Sequence, residues 1–174
     1  MAVTSESSSV QPLLVLYLDY DGVAHPDSVY RTRNGIELLH HPGHSLFEHV
    51  PLLDELLAPY PEVKIVLSTS WLLIKGGYDH AKARLSPTLQ ERCIGGTFHR
   101  REMRKAWFQS KSRPEQVLLD VSRRNPARWI AVDDSPEEWP GWTSAHVVRT
   151  DPTHGIAEDT VLSELRVKLD AQFG

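Results

Sequence analysis

Apolar positions along the chain fall into short unbroken runs that alternate with longer periodic stretches. Five runs read as strands: Leu13–Leu18, Val63–Leu67, a weaker one at Cys93–Phe98, Trp129–Val132 and Ala145–Arg149. They lack the polar alternation of a strand with one wet face. They therefore predict strands buried on both faces, as in a parallel sheet covered by helices. The stretches between them have helical spacing. Pro51–Ala58 carries Leu52, Leu53, Leu56 and Leu57, with Pro51 suited to a first turn and Pro59 to ending the helix. Tyr78–Leu85, Pro114–Arg124 and Glu158–Leu169 follow the same logic, and in the last of these Val161, Leu162, Leu165 and Leu169 recur at helical spacing. Strands alternating with helices predict a doubly wound, mainly parallel five-stranded α/β sheet.

One segment interrupts the alternation. Val29–Arg33 and Ile36–His40 flank Asn34-Gly35, a dipeptide whose tolerance of positive φ suits a two-residue hairpin turn. This predicts a β-hairpin flap over about residues 24–44, just after the first strand. Residues 1–11 are Ser-rich and polar and read as a flexible tail ahead of one domain over residues 12–174. A chain of 174 residues suits one core, and neither an internal repeat nor a second composition regime divides it. With 40% hydrophobic and 24% charged residues, the composition is ordinary for a globular protein and suggests neither global disorder nor a fibrous class. The net charge of −4 does not advertise nucleic-acid binding, although a local basic patch acts independently of the total. Cys93 is the only cysteine, so an internal disulfide is impossible, which fits a reducing compartment. No basic residue marks the first residues as a signal peptide, and Leu13–Leu18 is too short to span a bilayer. The expectation is a cytoplasmic protein without membrane contact.

The candidate chemistry sits at strand ends. In LYLDYDGV the first apolar strand ends in Asp19 and Asp21, where open α/β sheets bind ligands. Alternation puts both on one side and Tyr20 on the other, and Gly22 permits a sharp exit. WIAVDDSPEEW repeats the design with Asp133 and Asp134. Two acidic strand ends brought together repel unless protonated or bridged by a hard divalent cation, and Mg²⁺ suits oxygen ligands and phosphate oxygens. An aspartate beside such a cation stays ionised and can attack phosphorus. KIVLSTSW supplies Ser68 as the first hydroxyl after its strand, placed to hold a phosphoryl oxygen. In KSRPEQV, Lys111 stands just before a helix leading to the acidic strand and can neutralise phosphoryl charge, a role that Arg113 or Lys105 can also fill.

The order LYLDYDGV, IVLSTSW, KSRPEQV, IAVDDSP resembles the four motifs of the haloacid dehalogenase-like (HAD) superfamily, over residues 13 to about 138. DYDGVAHP, VLSTSW and WIAVDDSPEEWP more narrowly resemble the compact HAD domains of Swiss-Army-knife RNA repair proteins. The resemblance implies a HAD-type Rossmann-like fold and a Mg²⁺-dependent phosphatase with an aspartyl-phosphate intermediate. It makes Asp19 the nucleophile and Asp21 the general acid and then base, with Ser68 and Lys111 binding the phosphoryl group. The metal would be held by the Asp19 carboxylate, the Asp21 backbone carbonyl and an acid from Asp133/Asp134, Asp134 being the first choice for direct contact.

Other features carry less. His40, His41 and His44 lack a matching pair at structural-zinc spacing and read as surface residues. His25 is set apart only by its place close after Asp21. HRREMRKAWFQSKSR gathers Arg100, Arg101, Arg104, Lys105, Lys111 and Arg113 against Glu102. It reads either as a solvated helix with Trp107 and Phe108 packed inward, or as a basic strip that holds a phosphate backbone while an aromatic stacks on a base. The intervals between motifs leave no room for a large cap domain. An open site favours a large phosphorylated substrate, with an RNA or DNA end, specifically a 3′-phosphate, as the leading expectation. A phosphoacceptor signalling module and a non-catalytic binding protein on the same scaffold are the competing readings. The motif order argues against the first, because Val63–Leu67 and Cys93–Phe98 end without an acid.

Overall fold

The computed structural model of the protein describes residues 11–174, so the expected tail lies, apart from Gln11, outside the described residues. The first half contains β1 (Leu14–Leu18), β2 (Val29–Thr32), β3 (Gly35–Leu38), α1 (Val50–Leu57), β4 (Lys64–Leu67), α2 (Gly77–Lys82), α3 (Pro87–Arg92) and β5 (Cys93–Gly96). The second half contains α4 (Lys105–Gln109), α5 (Arg113–Arg124), β6 (Arg128–Asp133), β7 (Val147–Arg149) and α6 (Asp159–Phe173). Five strands form one sheet in the order β5-β4-β1-β6-β7, and every pair is parallel. The chain starts in the centre, winds out through β4 and β5, then returns beside β1 to lay down β6 and β7. That reversal opens a crevice beyond the carboxyl ends of the central strands.

Alternation along β1 builds two apolar layers. Leu16 and Leu18 face one side, where Leu53 of α1, Ala81 of α2, Leu89 of α3 and Leu165 of α6 cover them. Val15 and Tyr17 face the other, against Val117 of α5 and Trp129 and Ala131 of β6. Each fully buried aliphatic side chain stabilises the fold by about 1.5–3 kcal/mol, and together these layers fix where the strand ends point. Beyond Leu18, the same parity turns Asp19 toward the α5 face.

Two expectations shift. The helix read over Tyr78–Leu85 ends at Lys82, and an unanticipated helix follows. Ser86, preceding Pro87, is extended with ψ of 157°, and its hydroxyl accepts the Leu89 N–H at 3.2 Å. Proline disfavours helical backbone at the residue before it, so one helix breaks into two. The hairpin exists, but Thr32 pairs with Gly35, so its turn is Arg33-Asn34 rather than Asn34-Gly35. The positive φ expected at both turn residues falls on Gly35 alone of the three, at 115°, and the Thr32 hydroxyl accepts the Asn34 N–H at 3.0 Å. Beyond this hairpin, no cap-sized insertion stands among the described residues. No helix there is long and apolar enough to cross a membrane.

Candidate active site

Strand register brings the first two acids together. Leu18 of β1 pairs with Val132 of β6, so Asp19 and Asp133 stand side by side at adjacent strand ends. The ladder continues past β1, with Asp19 N–H donating to Val132 O at 3.2 Å and Ser68 N–H donating to Leu18 O at 2.8 Å. One oxygen of each carboxylate is fixed by backbone. Tyr20 N–H donates to Asp19 Oδ1 at 2.7 Å, and Ser135 N–H donates to Asp133 Oδ1 at 2.8 Å. Asp134 joins them, and ligand oxygens of Asp19, Asp133 and Asp134 all lie within 4.8 Å of one another. Gly22 makes this approach possible: its φ is +73°, and a Cβ there would sit 2.1 Å from Asp134 Oδ2. Thr150 Oγ1–H holds the Gly22 carbonyl from the other side at 2.6 Å.

The one guanidinium in this cluster belongs to Arg113, the first residue of α5. Its Nη2 lies 3.5 Å from Asp19 Oδ2 and its Nε 3.3 Å from Asp133 Oδ2, while Nη1 donates to Ser68 O at 2.8 Å. Ser112 caps the helix in a capping box with Glu115, which fixes where Arg113 starts. A single cation does not offset three carboxylates. Burial, relieved in part by Arg113 and reinforced by the like charge of Asp21, pushes Asp19 up to about 6. Burial and the nearby Asp19 push Asp134 up to about 7 and Asp133 well above its ordinary value. Burial works against the charge of Arg113, but the surrounding aspartates outweigh it and keep it charged.

At this site two buried side-chain oxygens have no hydrogen-bond partner: Ser68 Oγ, and Asp133 Oδ2, which has only the ion pair with Arg113. An orphaned carboxylate oxygen amid three acids and an orphaned hydroxyl beside them are the donor set of a hard divalent cation and a phosphoryl oxygen. The residues fit a divalent ion held by oxygen ligands.

Of the three basic candidates, Arg113 touches the acids. Lys111 lines the cavity of about 410 Å³ that also exposes Asp19, Asp134 and Glu137, and its Nζ lies 5.5 Å from the Trp107 ring centre. Lys105 instead donates to Leu73 O at 3.0 Å. Asp21 stands outside the carboxylate cluster: Trp71 Nε1–H donates to its Oδ1 at 2.9 Å, and His25 Nε2 is 3.0 Å from the same oxygen. In the sequence, Trp71 carries no signal of a role, and His25 is marked only by its proximity to Asp21. Nothing local links Trp71 to Asp21, 50 positions earlier, although its place straight after the Ser68–Ser70 hydroxyls put it at the site's rim. His40, His41 and His44 lie in the flap and its exit, with His41 and His44 paired to Asp27 and Glu48. The basic strip splits the difference between its two readings: Phe108 is buried, but Trp107 is 44% exposed.

No curated protein and no solved structure matches the chain. A family model does, described as the HAD domain in Swiss Army Knife RNA repair proteins. It covers residues 15–161, from β1 into the first turn of α6, and so takes in every acid, hydroxyl and base assembled above. The chain belongs to this family of HAD domains.

Proposed function

We propose that the protein is a Mg²⁺-dependent phosphomonoester hydrolase that works through an aspartyl-phosphate on Asp19 and acts on a terminal phosphate of RNA or DNA. The observation that carries the reading is the trio of carboxylates, Asp19 and Asp133 buried and Asp134 half-buried, with one guanidinium, at the carboxyl end of the central strands, beside an unpartnered Ser68 hydroxyl. Family membership supports the hydrolase class.

Asp19, Asp133 and Asp134, with the Asp21 carbonyl, would hold the ion, which neutralises phosphoryl charge and keeps Asp19 ionised. Asp19 Oδ2 attacks phosphorus, since Oδ1 is engaged by Tyr20 N–H. Arg113, Lys111 and Ser68 Oγ take the phosphoryl oxygens as charge spreads over them. Asp21 protonates the departing oxygen, then removes a proton from the water that attacks the phosphorylated Asp19. The sum is ester plus water giving alcohol plus phosphate.

A nucleic-acid end is supported by the surroundings. The cavity has no large cap over it among the described residues, Trp107 is exposed beside Lys111, and Arg100, Arg101 and Arg104 are exposed just upstream. Such a surface can stack a base and follow a phosphate backbone. The test is phosphate release from an aryl phosphate and from 3′- and 5′-phosphorylated RNA and DNA oligonucleotides, with Mg²⁺ or EDTA, for wild type and Asp19→Asn. Mg²⁺-dependent release lost in Asp19→Asn, fastest on 3′-phosphorylated ends, is expected. No release from any of them defeats the reading in favour of a non-catalytic scaffold.

A further inference from the structure

Asp21 is held differently from the other acids of the site. Its side chain is 29% exposed, and two N–H groups, from Trp71 and His25, converge on its Oδ1 alone. The His25 ring is fully buried. Its second nitrogen, Nδ1, accepts the backbone N–H of Phe47 at 3.1 Å. A backbone N–H can only donate, so Nδ1 is the bare nitrogen and the ring proton sits on Nε2, pointed at Asp21. Phe47 is fixed in turn. It adopts φ of 60°, which is rare for a bulky side chain. Its ring packs edge-on against His25 at 4.6 Å, Tyr20 at 5.0 Å and Trp71 at 5.1 Å between centroids. The return arm of the flap thus ends on the histidine that holds Asp21.

We propose that His25 is a positioning residue for Asp21, which with Trp71 ties up Oδ1 and leaves Oδ2 as the oxygen that moves the proton. The terminal torsion of an aspartate is broad and roughly two-fold, so without these donors the two oxygens interchange. As the bond from Asp19 Oδ2 to phosphorus forms and the ester bond breaks, the leaving oxygen keeps the electron pair and takes the proton from Asp21 Oδ2. As water oxygen then bonds phosphorus and the Asp19–phosphorus bond breaks, Asp21 Oδ2 takes the water's proton. The proposal rests on the phosphohydrolase reading for its catalytic consequence. The hydrogen-bonded arrangement stands without it.

Two esters separate positioning from packing. An aryl phosphate with an electron-withdrawing ring departs without a proton, whereas an alkyl phosphate needs one. His25→Phe is expected to lower kcat for the alkyl ester at least ten-fold more than for the activated aryl ester, with KM nearly constant for both. His25→Gln, whose amide N–H reaches toward the same oxygen, is expected to recover most of the alkyl-ester rate. Where His25→Phe fails to fold, Trp71→Phe, which removes the other donor, carries the same comparison. Equal losses on both esters, with no recovery in His25→Gln, overturn the proposal and leave His25 a packing residue. A wild type inactive on both esters and on the phosphorylated oligonucleotides defeats the hydrolase reading instead. Nitrogen-15 NMR of the His25 ring then decides the arrangement by itself: protonated Nε2 with bare Nδ1 is expected, and the opposite tautomer overturns it.

Discussion

Asp120 and Asp133 are each 1% exposed, yet their surroundings oppose each other. Asp120, on α5, accepts the Tyr17 O–H at 3.0 Å and the Arg124 Nε–H at 2.8 Å, and is also paired with Arg123 and His99. Burial pushes its carboxyl up, but the hydrogen bonds from Arg124, Arg123 and Tyr17 outweigh it and hold the group below the ordinary carboxylate value. Asp133, at the end of β6, shares its single cation with Asp19 and keeps an oxygen with no hydrogen-bond partner. Its carboxyl is held well above the ordinary value by burial and by Asp19. A buried carboxylate satisfied by the protein is architecture. One left unsatisfied among like charges is a place for something else to bind, and the fold spends stability to keep it.

The sharpest way to break this comparison is to neutralise one acid of each kind. Asp134→Asn removes repulsion from the cluster, so metal-free protein is expected to melt at higher temperature near neutral pH. Turnover should fall by more than the roughly 10–100-fold that outer-shell partners of a metal site typically cost. Calorimetry and phosphate release on the same preparation check both halves; a variant that is less stable but active contradicts the assignment. Asp120→Ala should do the reverse. It leaves Arg124 and the Tyr17 hydroxyl without their buried acceptor, a loss of about 3 kcal/mol, at the lower end for breaking a buried pair because Arg123 reaches solvent. Denaturant unfolding reads that loss, while kcat per folded molecule stays near wild type.

Acid dependence gives a third, smaller contrast. The folded pKa values of Asp19 and Asp134 are raised to about 6 and about 7, so their stabilising contribution is complete below about 4, the unfolded value, and is lost as pH climbs through 6 to 7; Asp133, also raised, acts in the same direction. Asp120 has a lowered value, so its contribution is present above the unfolded value and is lost as pH falls through the folded one. A cation competes with protons only at the first group. Mg²⁺ at ten times its dissociation constant should add about 1.4 kcal/mol, or about 3–6 °C in melting temperature, at pH 8. The gain should shrink strongly at pH 5.5, and equal shifts at both pH values would contradict the account. Smallest is Tyr17→Phe, which removes one of several donors to Asp120. It should cost about 1 kcal/mol in unfolding free energy and leave Mg²⁺ binding unaltered in a calorimetric titration.

Much of the sheet was legible because β1, β4 and β6 are buried on both faces and so read as unbroken apolar runs. β5 was faint for a physical reason: Cys93–Gly96 is a short edge strand containing two glycines. α3 was missed because it is six residues long and buries only Leu89. The acids were legible as pairs after apolar runs, and strand register does the rest. The preference for Lys111 over Arg113 shows the limit. Both are basic and near a helix start, and only the capping of α5 at Ser112 turns Arg113 onto Asp19 and Asp133 while Lys111 stays at the rim. The links from Trp71 and Phe47 to Asp21 and His25 are tertiary, and no local pattern announces them.

The central claim is that the unsatisfied acid site makes Asp19 a phosphorylated nucleophile. Wild type quenched during turnover of a phosphomonoester and reduced with borohydride converts any aspartyl-phosphate to homoserine, which mass spectrometry locates by residue. Homoserine at position 19, absent without substrate and absent in Asp19→Asn, is the predicted result. Steady phosphate release with no modification at position 19, or with modification at another aspartate, would contradict it.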